Sequence, residues 1–140
     1  MEKLSFYLEE GFNAMDICYK KSKNKDRIVY RINFPENDSI SETITLVIDE
    51  MFSAEICAYI ARGITQEKRL SVLEEINKVN DRFLFINSGM DDNNDVYSCQ
   101  QFILAGSRKI MCKQIIINIV VFYDLYRRTS EKIKSIINSP

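Results

Sequence analysis

The side chains in this chain with the most chemical potential are its clustered acids, its cysteines and its tyrosines. Asp91, Asp92, Asn93, Asn94 and Asp95 stand together. Oxygen-rich side chains on one loop are what a hard cation such as calcium needs. An EF-hand loop begun at Asp91 would want glycine sixth and glutamate twelfth, and Val96 and Phe102 stand there instead. The cluster therefore reads as a polar turn, because Asn and Asp tolerate left-handed backbone and bond to their own main chain. The four cysteines, Cys18, Cys57, Cys99 and Cys112, contain no Cys-x-x-Cys pair. A zinc ribbon or thioredoxin-like motif is thus not expected, and the four read as small buried hydrophobes of a reducing cytoplasm.

Other routes to catalysis are missing. The chain has no histidine, so it lacks the commonest general base, and no Ser-His-Asp triad can form within it. Glu74 and Glu75 are neighbours on a helix and point in different directions, as a solvated face does. The glycines at 11, 63, 89 and 106 stand apart, so there is no phosphate-cradling loop. Tyr97, Tyr123 and Tyr126 could line a groove, but tyrosines so placed are more often amphipathic residues at the edge of a core. No catalytic, cofactor-binding or metal-ligating residue is assigned, and no enzymatic activity is expected.

Composition narrows the class. The 140 residues fit one domain, 1–140, with room for a real core. Lys and Arg number 19 against 20 Asp and Glu, so no overall charge draws the chain to nucleic acid or to an anionic membrane. The basic segment 20–27, KKSKNKDR, has no interleaved aromatics and reads as a solvated connector. The opening MEKLSFYLEE lacks the pattern of a secretory signal. The longest apolar run, Ile115 to Val121, is broken at Asn118 and falls far short of the ~20 residues of a membrane span. A cytoplasmic location is expected.

The elements that would position these side chains centre on residues 64–104. Thr65 is a candidate helix N-cap, although Lys68 leaves the capping box incomplete. Leu70, Leu73, Ile76 and Asn80 then recur at helical spacing, with Val72, Val79 and Phe83 widening the stripe. Phe83 to Ile86 reads as a short aromatic strand, the acidic cluster as a hairpin turn, and Val96 to Leu104 as the returning strand.

On these residues the chain resembles the YbjN-domain family of bacterial proteins, described as candidate sensory transduction regulators. The matching residues are Glu67-Lys68-Arg69 at the start of the helix and Glu75-Ile76-Asn77-Lys78-Val79-Asn80 at its end. Arg82 to Ile86, the acidic turn before Tyr97 and the tyrosine-bearing last helix continue the match. The likeness spans about the last three-quarters of the chain. It implies a fold similar to type III secretion chaperones, a twisted antiparallel sheet flanked by helices, and it implies no reaction.

The rest of the chain supplies the other elements. Residues 2–10 read as a helix that either stops at Gly11 or continues to about Lys20. Arg27 to Phe34, Thr43 to Asp49 and Ala54 to Arg62 alternate as three strands, with a loop at Pro35 to Ser41. Lys109 to Ile137 reads as one long helix, apolar over more than a single packing face needs. A homodimer through that helix would use the excess. The expected architecture is α+β, a five-stranded antiparallel sheet in the order α-βββ-α-ββ-α.

Two functions fit this reading. The first is a non-enzymatic protein-binding domain of chaperone, adaptor or regulatory type. It would bury a partner segment on an exposed sheet face or edge, with Ile44, Leu46, Tyr59, Phe85 and Tyr97 as contributors. The second is a small-molecule-sensing domain with its ligand between sheet and helix, near Asn77 or Asn80.

Overall fold

The computed structural model describes residues 1–34 and 43–140. The loop expected over Pro35 to Ser41 lies outside the described residues. The elements are α1 (Glu2–Ala14), β1 (Cys18–Lys23), β2 (Arg27–Asn33), β3 (Ile44–Asp49), β4 (Ser53–Ala61), α2 (Gln66–Arg82), β5 (Asn87–Met90), β6 (Val96–Ile103) and α3 (Arg108–Ile137). The strands form one open sheet in the order β1-β2-β3-β4-β6-β5, and every pairing is antiparallel. The α+β class expected from sequence is correct.

Strand parity sorts the sheet into two faces. Ile28, Tyr30 and Ile32 of β2, Ile44, Leu46 and Ile48 of β3, and Ile56 and Ile60 of β4 are all buried on one face. All three helices contribute to the same core. α1 gives Leu4, Leu8 and Phe12, and α2 gives Val72 and Ile76. α3 gives Ile115, Ile119, Phe122 and Ile133. Each such side chain contributes roughly 1.5–3 kcal/mol through its removal from water. Tyr126 of α3 is buried too, and its hydroxyl donates to the Tyr59 carbonyl at 2.7 Å. That bond ties the long helix to the middle of the sheet.

Among the described residues the sheet has six strands, not the expected five. The extra strand is β1, in the stretch read as connector and helix extension. Its sequence CYKKSK is polar on both parities, so alternation gives no signal. β1 is nonetheless in full register with β2, from Cys18 opposite Asn33 to Lys23 opposite Ile28. Lysines suit an outermost strand because they discourage further strand addition. Lys21 also pairs with Glu9 of α1 at 2.7 Å.

The first helix passes Gly11 and ends at Ala14, between the two expected limits. Asp16 follows with φ 55°, and the Ile17 amide returns to the Phe12 carbonyl at 2.9 Å. Gly11 serves packing instead of termination. A Cβ there would stand 2.6 Å from Ile116 Cδ1, so its absence lets α1 lie close on α3.

The strand expected at Phe83 to Ile86 is displaced to Asn87–Met90. The helix before it runs on to Arg82, and Leu84 and Phe85 lie in the turn, 86% and 79% exposed. Two features fix the later register. Asn80 holds Ser88, and the Ser88 and Ser98 hydroxyls share a buried hydrogen bond at 2.7 Å. Leu70, placed in the buried stripe by its spacing, is exposed; Val72, Ile76 and Val79 make the buried line. Thr65 does stand at the N-cap, but its hydroxyl caps nothing. α3 begins one residue before its expected start, where the Ser107 hydroxyl accepts from the Ile110 amide.

Candidate functional site

With all three helices on one side, the other side of the sheet is open among the described residues. Its central residues are Val47 of β3, Cys57 and Tyr59 of β4, and Tyr97 and Cys99 of β6, all half-buried. Register brings them together. Tyr59 lies opposite Tyr97, and Cys57 lies opposite Cys99. Side chains directly opposite on adjacent strands are neighbours on one face.

Each tyrosine is held in place. The Arg62 guanidinium lies 3.9 Å over the Tyr59 ring, a cation–π contact, and also pairs with Asp95 at 3.6 Å. Tyr97 spreads over Gly89 of β5, where a Cβ would stand 2.6 Å from the tyrosine oxygen. Glycine at 89 is therefore what lets the ring lie flat. Between the tyrosines and Thr45 a shallow pocket opens, with Cys57, Cys99 and Asp91 in its wall.

The two cysteines of this face are joined by a disulfide, with Cα atoms 4.3 Å apart. The reading of four buried thiols is corrected here. Cys57 and Cys99 are half-buried and linked, Cys18 is exposed, and only Cys112 is a buried hydrophobe, where burial pushes its thiol pKa up. Glu55 completes the group. Its Oε1 is 3.5 Å from Cys57 Sγ, and its Oε2 accepts from Gln101 Nε2 at 2.6 Å. In the linked form the two sulfurs and a Glu55 carboxylate oxygen lie within 4.8 Å of one another; two thiolates and a carboxylate are donors that borderline metals accept.

The acidic cluster is a built turn. Asp91 Oδ1 accepts from the amides of Asn93 and Asp95 at 2.9 and 3.0 Å, and Asn94 takes φ 59°. Asp95 Oδ1 accepts from the Gly63 amide at 2.7 Å, and the Asn94 carbonyl from the Ile64 amide at 2.9 Å. These oxygens dock the β5–β6 hairpin onto the junction of β4 and α2.

The proposed contributors to partner binding divide. Ile44 and Leu46 face the core and are buried, so they have no part in an open surface. Tyr59 and Tyr97 sit side by side on the open face. Phe85 lies apart, in the α2–β5 turn. The three tyrosines read as a possible groove do not share one: Tyr126 is buried, and Tyr123 stacks on Phe34 at 4.1 Å. Asn80 is committed to Ser88, and Asn77 is exposed.

Two other surfaces complete the picture. α3 exposes Ile110, Ile117, Val120 and Val121. A groove between the end of α2 and the second half of α3 is lined by Lys78, Arg82, Arg128 and Lys132 together with Glu75 and Glu131, beside Val79 and Phe83. No described helix is long and apolar enough to cross a membrane.

No family model matches the chain, and no curated protein matches it. A search of solved structures finds similarity to the crystal structure of YbjN, a candidate transcription regulator from E. coli. The likeness covers 95% of this chain and 87% of that one, at 13% identity and a TM-score of 0.48.

Proposed function

We propose that this chain is a non-enzymatic, protein-binding domain of adaptor, chaperone or regulatory type, working in the cytoplasm. The observation behind this reading is the open sheet face, where Val47, Tyr59 and Tyr97 stand half-buried with no described element over them. Tyrosines held flat, as Arg62 and Gly89 hold these, offer large contact area at low entropic cost. A partner segment laid across β3, β4 and β6 would bury them. The type III secretion chaperone-like character implied by the sequence resemblance belongs to this reading, as does a homodimer through Ile117 and Val121 of α3.

The test is photo-crosslinking in cells, with a photoreactive residue at position 47 and, as control, at position 74 on the exposed side of α2. Discrete adducts at 47 and none at 74 support the reading. Equal yields at both positions, or none at either, reject it. The dimer is checked separately by sedimentation of the wild type and Ile117→Glu across a concentration series.

A second reading, a small-molecule-sensing regulator, is favoured by the α2–α3 groove. Its four cations outnumber the two carboxylates, Glu75 and Glu131, beside Val79 and Phe83, which suits an anionic ligand with an apolar part. The place first expected for such a ligand, between sheet and helix, is occupied by Tyr30, Leu46, Ile56 and Phe122. A thermal-shift series with carboxylate and phosphate ligands, repeated on Arg82→Ala, distinguishes this reading from the first.

A further inference from the structure

We propose that Cys57 and Cys99 form a reversible dithiol–disulfide site, oxidised by low-molecular-weight disulfides, that fastens the seam between the two halves of the sheet. This stands whether or not a partner docks on the same face.

Placement makes the cross-link direct. The two residues are register partners on adjacent antiparallel strands, and their Cα separation of 4.3 Å is close to that of a non-hydrogen-bonded pair, where side chains approach most closely. Neither strand must move for the sulfurs to meet. Access follows from the face they occupy. Both are half-buried and border the pocket beside Thr45 and Tyr97, so a small disulfide can reach them. Accessible disulfides are the ones that exchange, whereas buried thiols such as Cys112 stay inert.

The seam gives the linkage its effect. β1 to β4 form one continuous meander, and β5 and β6 form a hairpin reached through α2. Among the described residues the two join within the sheet only where β4 pairs with β6, and the cysteines lie in the middle of that ladder. The exchange balances. A thiolate of the pair attacks the small disulfide, forming a mixed disulfide and releasing one thiol. The second thiolate attacks the bound protein sulfur and releases the other. One disulfide and two protein thiols become one protein disulfide and two small thiols.

The experiment takes the reduced full-length chain through a series of reduced-to-oxidised glutathione ratios. Free thiols are then blocked with N-ethylmaleimide and the peptides mapped by mass spectrometry. The expected result is a linked Cys57–Cys99 peptide that grows with the oxidised fraction and disappears when reduced glutathione is restored. Amide exchange in β4 and β6 should be at least about ten-fold slower in the oxidised form. The proposal is overturned if both cysteines stay free throughout, if cross-links run through Cys18, or if the link survives full reduction. Unchanged exchange on oxidation would remove the fastening role. Stoichiometric zinc that binds the reduced chain and blocks oxidation would also overturn it, by making Glu55, Cys57 and Cys99 metal ligands. No substitution is needed, so a misfolded variant cannot cloud the answer.

Discussion

The side chain of Asn80 treats Ser88 as a neighbouring strand would. Its Oδ1 accepts from the Ser88 amide and its Nδ2 donates to the Ser88 carbonyl, both at 2.8 Å. A helix side chain thus supplies both hydrogen bonds that β5, at the border of the sheet, needs at this residue. Asn80→Ala should cost about 1–3 kcal/mol, since two partly buried backbone groups lose their partner. Asn80→Asp should cost at least as much, because a carboxylate would face the Ser88 carbonyl. Urea denaturation of the three proteins checks the order.

Gly11 and Ile116 set the spacing of α1 on α3. The atom that an added Cβ would meet is the flexible end of Ile116, so a small group can be accommodated. Gly11→Ala should stay within about 1 kcal/mol of wild type, the gain in helix propensity offsetting the contact. Gly11→Leu should lose about 1–3 kcal/mol as the helices are forced apart. Thermal melts of both variants decide this.

Gln100 faces the helices and donates from Nε2 to Asn118 Oδ1 at 2.6 Å, while its own Oε1 is buried without a partner among the described residues. Asn118→Leu alone should cost about 1–3 kcal/mol, because it orphans the rest of the Gln100 amide. Gln100→Met with Asn118→Leu should recover wild-type stability or exceed it, since both polar groups leave together. A double-mutant cycle by chemical denaturation reads the coupling directly.

Tyr30 contributes to alkaline sensitivity, beside the buried thiol of Cys112. Burial raises its phenol well above the ordinary 10.0, and the charge of Glu9, which accepts its hydroxyl proton at 3.2 Å, adds to the effect. The unfolded chain therefore ionises first as pH rises. The stability from the neutral phenol is complete below about pH 10 and declines above it. Tyr30→Phe should flatten the fall in stability between about pH 10 and 11.5, followed by denaturant midpoints at each pH.

Legibility in the sequence followed whether the deciding contact was local. β2, β3 and β4 were readable because one face is buried and the other is not, so alternation survives in Ile28, Tyr30 and Ile32 and in their neighbours. β1 was invisible because it lies at the border and carries polar residues on both faces. The aromatic run at 83–86 misled because α2 continues to Arg82 and side-chain bonds from Asn80 and Ser98 choose the later strand. At the candidate site, alternation marks Tyr59 and Tyr97 as strand residues, but their adjacency depends on pairing across a helix and a hairpin. The cysteine link has the same cause. Cys57 and Cys99 are 42 residues apart, and no spacing rule signals a bond that only sheet register creates.

The strand order also sets a timetable for the nascent chain. When Ala61 leaves the ribosome, β4 has β3 on one flank and nothing on the other. The strand that fills the gap comes only after α2 and β5 have been made, and α3, which roofs Ile56 and Ile60, comes later still. Until then the young meander holds a wet, oily underside and an unzipped border. Acquiring its final shape must wait on a distant pairing, and non-local pairings are the slow ones, so its neighbourhood is where a holding chaperone would matter most.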